Sequence, residues 1–228
     1  ENKFNSTGII ELSRDYIDEV DYIIPISGVS PSDFTKKDQK KILGNTNVKN
    51  IENKFRFYQK IKEKFLTPMT FSVSDIDEVH EICKNYPNTQ FILKPVQGSG
   101  GYDINLLDKT SEIQFNDSEF ILQEYISGIN VSSSVLANKN DAKTIMNSRL
   151  LTMHDTEKNN SFIYVGNILP LTKKSIMADV EDIDKINAEM RDTSENLAKK
   201  FKLNGSNGVD YIINENGLYV IEINPRIQ

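Results

Sequence analysis

The chain has 228 residues, with 27 Lys and Arg against 33 Asp and Glu for a formal net charge of −6, and 38% of its residues are hydrophobic. This composition excludes an intrinsically disordered chain, and the single cysteine excludes a disulfide framework and a Cys-x-x-Cys metal site. No apolar run approaches the ~20 residues of a membrane helix, and the acidic balance argues against nucleic acid as a partner. We therefore expect a cytoplasmic globular protein that contacts neither membrane nor nucleic acid.

The first half of the chain is predicted to contain both strands and helices. An apolar run predicts a strand over residues 22–26. Apolar residues that recur every three or four positions predict an amphipathic helix over 51–65. The pattern Ser74-x-x-Asp77 is typical of a capping box and predicts a helix that ends near residue 86. A strand over 91–96 follows, and it carries one lysine.

The second half is predicted to be mainly antiparallel strands with one long helix. The helix covers 179–201, and Asn216-Gly217 between two apolar runs favours a closing hairpin. Because helices and strands occur in separate runs, the predicted fold class is α+β. The strands are predicted over 104–107, 119–125, 130–137, 143–153, 208–213 and 218–223.

A glycine-rich loop follows the strand that carries Lys94. Glycines let backbone N–H groups approach an anion closely, and the lysine adds a positive charge for phosphate. A charged lysine in an apolar strand needs a partner, which favours an anion site over the alternative, a loose hairpin loop beside an unrelated lysine. The loop residues are Gln97, Gly98, Ser99, Gly100 and Gly101.

The C-terminal hairpin carries a second group of polar residues. The predicted turn places Asp210 opposite or nearly opposite Glu222, with Cβ atoms roughly 5 Å apart, and Asn224 shares a face with Glu222. Two carboxylates without a counter-charge would repel each other, and a divalent cation bound by carboxylate and amide oxygens would relieve that repulsion. Arg226 follows on the same face. The alternative is a solvent-facing polar side with Arg226 as the counter-ion.

Two further segments are weak signals when taken alone. Gln123, Glu124, Tyr125 and Ile126 end an apolar run, where an amide, a carboxylate and exposed backbone could bind a purine and a ribose. Taken alone, a plain edge strand that runs into a turn explains them better. Lys54 lies in a helical pattern, where a lysine on a polar face is common.

Taken in chain order, these segments resemble the ATP-grasp superfamily, in particular its archaeal carboligase-type members that are distantly similar to biotin carboxylase. The two lysines are 40 residues apart, Asp210 precedes Glu222 by 12 residues, and the likeness covers residues 20–228. Ser132 departs from the pattern, because many relatives have a nucleotide-binding glutamate at that position. The matching residues are Lys54 in ENKFRFY, Lys94 in FILKPVQGSGG, QEYISG at 123–128, Asp210 in GVDYII, and Glu222, Asn224 and Arg226 in EINPRIQ.

The resemblance implies an ATP-grasp fold, in which two α+β subdomains with mainly antiparallel sheets clasp ATP. Residues 1–30 would be the remnant of an N-terminal domain, and 31–228 the ATP-grasp domain. Within that domain, a lid subdomain would cover about 88–126 and a C-terminal subdomain 127–228. Homodimer formation is left open.

The resemblance also implies roles for the site residues. Lys54 and Lys94 would contact the phosphates, loop 97–101 would cover them, and residues 123–126 would hold adenine and ribose. Asp210, Glu222 and Asn224 would bind one or two Mg²⁺, with Mn²⁺ as an alternative ion. Lys94 and Arg226 would be catalytic, with Arg226 stabilising an acyl-phosphate.

The implied activity is that of an ATP-dependent carboxylate–amine ligase, which joins a small-molecule carboxylate to an amine through an acyl-phosphate. Two alternatives stay open. One is a carboxylation like that of biotin carboxylase, which would activate bicarbonate. The other is a nucleotide-binding module without catalytic activity.

Overall fold

The computed structural model describes residues 16–26, 29–98, 104–107, 115, 119–155, 160–177 and 180–227. In these ranges the chain forms two antiparallel sheets with helices packed against them, so the predicted α+β class is confirmed. None of the helices in the described ranges is both long and apolar enough to cross a membrane.

The elements are numbered in chain order. The helices are α1 (Lys49–Glu52), α2 (Lys54–Ile61), α3 (Ile76–Asn85) and α4 (Ile183–Lys200), and two 3₁₀ turns cover Pro31–Asp33 and Asp38–Lys41. The strands are β1 (Thr70–Val73), β2 (Phe91–Pro95), β3 (Asn105–Leu106), β4 (Phe120–Glu124), β5 (Ile129–Asn138), β6 (Ala142–Asp155), β7 (Asn160–Ile168), β8 (Asn204–Asn214) and β9 (Gly217–Asn224).

Each sheet has its own hydrophobic core. The smaller sheet has the strand order β1-β4-β2-β3 and packs Phe91 and Leu122 against Val79 of α3. The larger sheet has the order β7-β6-β5-β8-β9 and buries Met190 and Leu197 of α4. The long helix predicted over 179–201 is confirmed, although it begins only at Ile183. The smaller sheet also includes β1, which lies before residue 88, the approximate start of the lid subdomain that the family resemblance implies.

The helix predicted over 51–65 is broken at Asn53. The Asn53 side chain accepts a hydrogen bond from the backbone N–H of Arg56 (2.9 Å), so Asn53 ends α1 and caps α2. Asparagine is a strong N-cap residue because its side-chain oxygen satisfies a backbone donor at the start of a helix. The break places Lys54 in the first turn of α2, where its backbone N–H donates to the carbonyl of Val96 (3.1 Å). The start of α2 is thereby joined to the end of β2.

Two other local predictions differ from the structure. The strand predicted over 22–26 is wrong, because Ile23 forms a single bridge with Ile42 and Pro25 has no N–H with which to continue a ladder. The second predicted helix begins one residue late, because Asp75 rather than Ser74 caps it. Ser74 instead donates its backbone N–H to Glu78 (2.7 Å).

The C-terminal hairpin has the predicted register. Asp210 pairs with Glu222, and Asn214 pairs with Gly217 across a two-residue loop. Gly217 has a φ of +130°, which a residue with a side chain rarely adopts. The prediction that Asp210 and Glu222 lie opposite each other is confirmed.

We expect Gly128→Ala to lower the free energy of unfolding by about 1–3 kcal/mol, the usual cost of forcing extra atoms into a packed site. A Cβ at this position would lie 2.3 Å from the carbonyl oxygen of Ile213 and 2.7 Å from Cγ2 of Ile212, and the backbone of β8 has little room to move. Urea unfolding measures the effect. Gly44→Ala is the matched control, since its Cβ would meet Cγ2 of Ile42 at 3.9 Å, an ordinary contact. Equal stability of the two variants would contradict this prediction.

Candidate functional site

A cavity of about 650 Å³ is lined by residues from both sheets. Gln97 lines a neighbouring cavity of about 230 Å³, and Ser99, Gly100 and Gly101 lie outside the described residues. The structure brings the other predicted site residues together around the large cavity: Lys54, Lys94, Gly98, Gln123, Glu124, Tyr125, Ile126, Asp210, Glu222, Asn224 and Arg226.

Two lysines and one carboxylate lie near each other at one end of this cavity. Nζ of Lys54 donates to the carbonyl of Gly98 (3.0 Å) and lies 3.7 Å from Oε2 of Glu222. Lys94 projects from β2 and is 3% exposed, the most buried charged residue among the described ones. The apolar flanks of Lys94 in sequence predicted this burial.

The charge of Lys94 is unfavourable in its surroundings. The pKa of Lys94 is lowered to about 8. Burial is the largest cause and repulsion from Lys54 the second, whereas the nearby Glu222 carboxylate opposes the shift. Desolvation disfavours an ammonium group unless it has a strong counter-charge. One carboxylate shared between two lysines leaves positive charge that an anion in the cavity would compensate.

Both acidic residues of the hairpin have partners, so they are not the unpaired carboxylates that the argument from repulsion assumed. Oδ1 of Asp210 accepts from the Ser132 hydroxyl (2.6 Å), and Oδ2 accepts from Nδ2 of Asn224 (2.8 Å). Glu222 is paired with Lys54. Cross-strand neighbours and α2 supply these partners, which are distant in sequence.

The hairpin nevertheless provides suitable ligands for a hard cation. Asp210, Glu222 and Asn224 offer carboxylate and amide oxygens, the donors that Mg²⁺ and Ca²⁺ prefer. Over the described ranges there is no cluster of three or more His, Cys, Asp and Glu side chains with the geometry of a metal site. A cation at this position would therefore need the amide of Asn224 and oxygens from a ligand or water in addition to the two carboxylates.

Arg226 has a partner that sequence analysis missed. Nη1 of Arg226 lies 3.6 Å from Oε1 of Glu52, and the two side chains are 19% and 38% exposed. Glu52 and Lys54 flank the helix cap and pair with Arg226 and Glu222, respectively. Each of the two short segments, 52–54 and 222–226, carries one acid and one base. This arrangement is a sequence signal that could have suggested the pairing.

The opposite end of the cavity has a different character. Gln123 donates to the hydroxyl of Thr70 (2.8 Å), and Glu124 accepts from the backbone N–H of Met69 (3.0 Å), so both side chains fasten β4 to β1. The backbone N–H of Tyr125 donates to Gln90 (2.8 Å). Ile126 also lines the cavity, and within the described part of the chain its backbone N–H has no backbone acceptor.

An aromatic wall beside this end was not predicted, because β7 was not predicted. Phe162 of β7 packs edge-on against Tyr125, with ring centroids 6.1 Å apart and planes at 67°. Tyr164 and Ile212 also line the cavity. Apolar and aromatic surface at one end and charged groups at the other would suit a ligand with a flat apolar ring and an anionic tail.

Comparison with known sequences identifies the family. A sequence profile of the ATP-grasp domain matches residues 51–228, and the chain belongs to the ATP-grasp family. An uncharacterized protein of Methanocaldococcus jannaschii is 27% identical over 98% of this chain and 54% of its own length. Tyramine–L-glutamate ligase of the same organism is 29% identical over 79% of this chain and 44% of its own length. The chain spans about half the length of these curated relatives.

Comparison with solved structures agrees with the family assignment. The N5-carboxyaminoimidazole synthase of Aspergillus clavatus, in complex with ADP and 5-aminoimidazole ribonucleotide, matches with a TM-score of 0.73. The match covers 96% of this chain and 56% of that chain at 14% sequence identity. This likeness shows the fold, and the predicted ATP-grasp fold is confirmed.

We expect Lys94→Met to change the pH dependence of stability. The folded protein releases the Lys94 proton near pH 8, whereas the unfolded chain holds it to about pH 10.5, so wild-type stability rises with pH across this window. Relative to Lys94→Met, the wild type should gain up to about 3 kcal/mol between these limits and show a constant difference below about pH 8. Urea unfolding at several pH values measures this difference.

The control for this substitution is Lys64→Met, at an exposed lysine beyond α2. Stability curves of the wild type and Lys94→Met that run parallel from pH 7 to 10 would show that Lys94 is charged at neutral pH without penalty, contrary to this prediction.

Proposed function

We propose that the chain is the ATP-grasp core of a carboxylate–amine ligase, which uses ATP to form an amide or peptide bond and releases ADP and phosphate. The observation that carries this proposal is the cavity in which two lysines, two facing carboxylates, an amide and an arginine converge at one end. A relative of this chain, 29% identical, is a tyramine–L-glutamate ligase, which supports a carbon–nitrogen ligase over other activities.

In this proposal the nucleotide spans the cavity. Lys54 and Lys94 hold the phosphates, with Gln97, Gly98 and the following loop residues 99–101 alongside. At the other end, the backbone N–H of Ile126 is the donor for adenine, because that of Tyr125 is already bonded to Gln90. Gln123 and Glu124 act there mainly by fixing the end of β4, since their side chains bond to β1.

The same proposal places one or two Mg²⁺ at the charged end, with Mn²⁺ as a substitute. Asp210, Glu222 and Asn224 fit the ion because they offer oxygen ligands on adjacent strands. A bound ion would neutralise part of the negative charge of the phosphates and so reduce the repulsion between two approaching anions.

The side chains of the chain have defined tasks in the reaction. Attack of a carboxylate oxygen on the terminal phosphorus breaks the bond to ADP and gives an acyl-phosphate, and an amine then displaces phosphate. Lys94 and Arg226 supply positive charge where negative charge develops, and preorganised charge of this kind is a major source of rate enhancement. Lys54 must exchange Glu222 for a phosphate oxygen, and Arg226 must exchange Glu52 for the substrate.

The proposal also includes the division of the domain and its location. Residues of the smaller sheet, within about 88–126, act as a lid above a C-terminal subdomain over 127–228, with residues 1–30 outside the ATP-grasp domain. The reaction takes place in the cytoplasm on small-molecule substrates.

An oxygen-18 experiment tests the mechanism. A carboxylate labelled with oxygen-18 is incubated with ATP, Mg²⁺ and an amine, after a panel of both substrates has been screened for ADP and phosphate release. We expect ADP and orthophosphate as products, with one label per turnover in the phosphate, because the carboxylate oxygen attacks the terminal phosphorus. Formation of AMP, or release of orthophosphate that carries no label, would overturn the acyl-phosphate mechanism.

The same assay separates the alternatives. ADP release that depends on bicarbonate, with no response to any amine, would favour a carboxylation. Binding of MgATP without turnover under every condition would favour a nucleotide-binding module.

We expect Glu222→Gln to reduce turnover by roughly 100-fold, since it removes a ligand of the proposed cation. Its effect on folding should be moderate, about 1–3 kcal/mol, because Glu222 is partly exposed but is also the carboxylate that compensates the charges of Lys54 and the buried Lys94. Steady-state rates and urea unfolding measure the two effects. Glu215→Gln, in the exposed hairpin turn, is the matched control. A variant with intact turnover but strongly reduced stability would assign Glu222 a structural role.

A further inference from the structure

The Asp210 carboxylate is held from two sides by neutral donors. The Ser132 hydroxyl donates to Oδ1 at 2.6 Å, and its longer contact with the carbonyl of Val209 is 3.3 Å. Nδ2 of Asn224 donates to Oδ2 at 2.8 Å. Ser132 and Asn224 are 3% and 7% exposed, so these bonds lie in a nearly dry part of the cavity wall, where hydrogen bonds hold their geometry strongly.

The register of three strands produces this arrangement. Ser132 of β5 is the direct partner of Asp210 of β8, and Asp210 is the direct partner of Glu222 of β9. Asn224, two residues beyond Glu222, shares its face and reaches Asp210 diagonally. One row of side chains on the same side of the larger sheet thus connects Ser132 to Glu222.

The hydrogen bond from Asn224 fixes the orientation of its amide. An asparagine amide has a nitrogen that donates and an oxygen that accepts, on opposite branches of the group. Because Nδ2 is committed to Asp210, Oδ1 is the branch turned away from that carboxylate. A cation needs this oxygen, and a rotated amide would present N–H groups instead.

We propose that Ser132 is a positioning residue for the cation site: it fixes the Asp210 carboxylate, which in turn orients the Asn224 amide so that Oδ1 is presented as a ligand. This inference rests on the proposed function. With glutamate at 132, the row would contain three acids, and Asp210 would lose this donor.

The test compares nucleotide binding with and without the ion. Calorimetry measures the affinity for adenosine 5′-(β,γ-imido)triphosphate in excess Mg²⁺ and in EDTA, and the ratio of the two affinities reports how much the ion contributes. Residues that orient metal ligands typically change metal affinity by about 10–100-fold when they are replaced. We therefore expect Ser132→Ala to reduce the ratio at least about tenfold while the affinity in EDTA stays within about twofold of the wild type.

Three further variants accompany Ser132→Ala. Ser132→Thr keeps the hydroxyl and should restore most of the ratio. Ser132→Cys keeps a side chain of similar size but with a weak hydrogen-bond donor, so it should lower the ratio of affinities as alanine does. This variant preserves the test if the alanine variant does not fold. Ser134→Ala is the matched control, because Ser134 lies on the same face of β5 but opposite Gly208 rather than Asp210.

The outcomes separate this inference from the proposed function. A wild-type ratio near one would overturn the cation site, and this inference with it. A high wild-type ratio that Ser132→Ala and Ser132→Cys both retain would overturn the positioning role alone. An equal loss of affinity in EDTA and in Mg²⁺ would also overturn it, because Ser132 would then act on the fold or on the nucleotide directly.

Discussion

The constraint on which the site depends is the burial of Lys94 in β2. An ammonium group that is 3% exposed has lost most of its hydration, and the neighbouring Lys54 adds repulsion. The chain keeps this lysine because its surroundings supply partial compensation from Glu222. Burial of a charge at the meeting point of two sheets costs stability in the free protein, and it creates a strong preference for an anion in the adjoining cavity.

The groups that surround the charge of Lys94 come from elements that are far apart in sequence. Asn53 breaks the helix and places Lys54 beside the end of β2, and from there Lys54 reaches Gly98 and Glu222. The backbone bond from Lys54 to Val96 holds this junction in place. A helix without the break would not begin at Lys54, and the lysine would lose both the first-turn position and the bond to β2. The N-cap is therefore as important to the site as the charged residues.

Sequence predicted the parts of this architecture that are local. Near the turn, the hairpin register followed from strand alternation and from the two-residue loop at Glu215 and Asn216. The pairing of Asp210 with Glu222 also depends on a register shift between Asp210 and Tyr211, which the loop does not fix. Strand β7 was missed because Gly166, at a φ of +148°, and irregular pairing with β6 interrupt its alternation. The partners Ser132 and Glu52 were missed because cross-strand and helix–strand contacts leave no periodic pattern in a single sequence.

The ion pair between Lys54 and Glu222 indicates that a cation and a nucleotide bind interdependently in the proposed reaction. A cation alone would lie beside Glu222 but also close to Lys54, which is 3.7 Å from that carboxylate. A polyphosphate alone would gain Lys54 and Lys94 but would face Asp210 and Glu222 without screening. When both are present, the cation can take the carboxylates and the phosphates can take the lysines, so Lys54 and Glu222 each exchange one partner for another of the same charge sign. The free-energy cost of breaking the ion pair between Lys54 and Glu222 then arises once, although two ligands bind. Each ligand therefore increases the affinity for the other, and by the same factor.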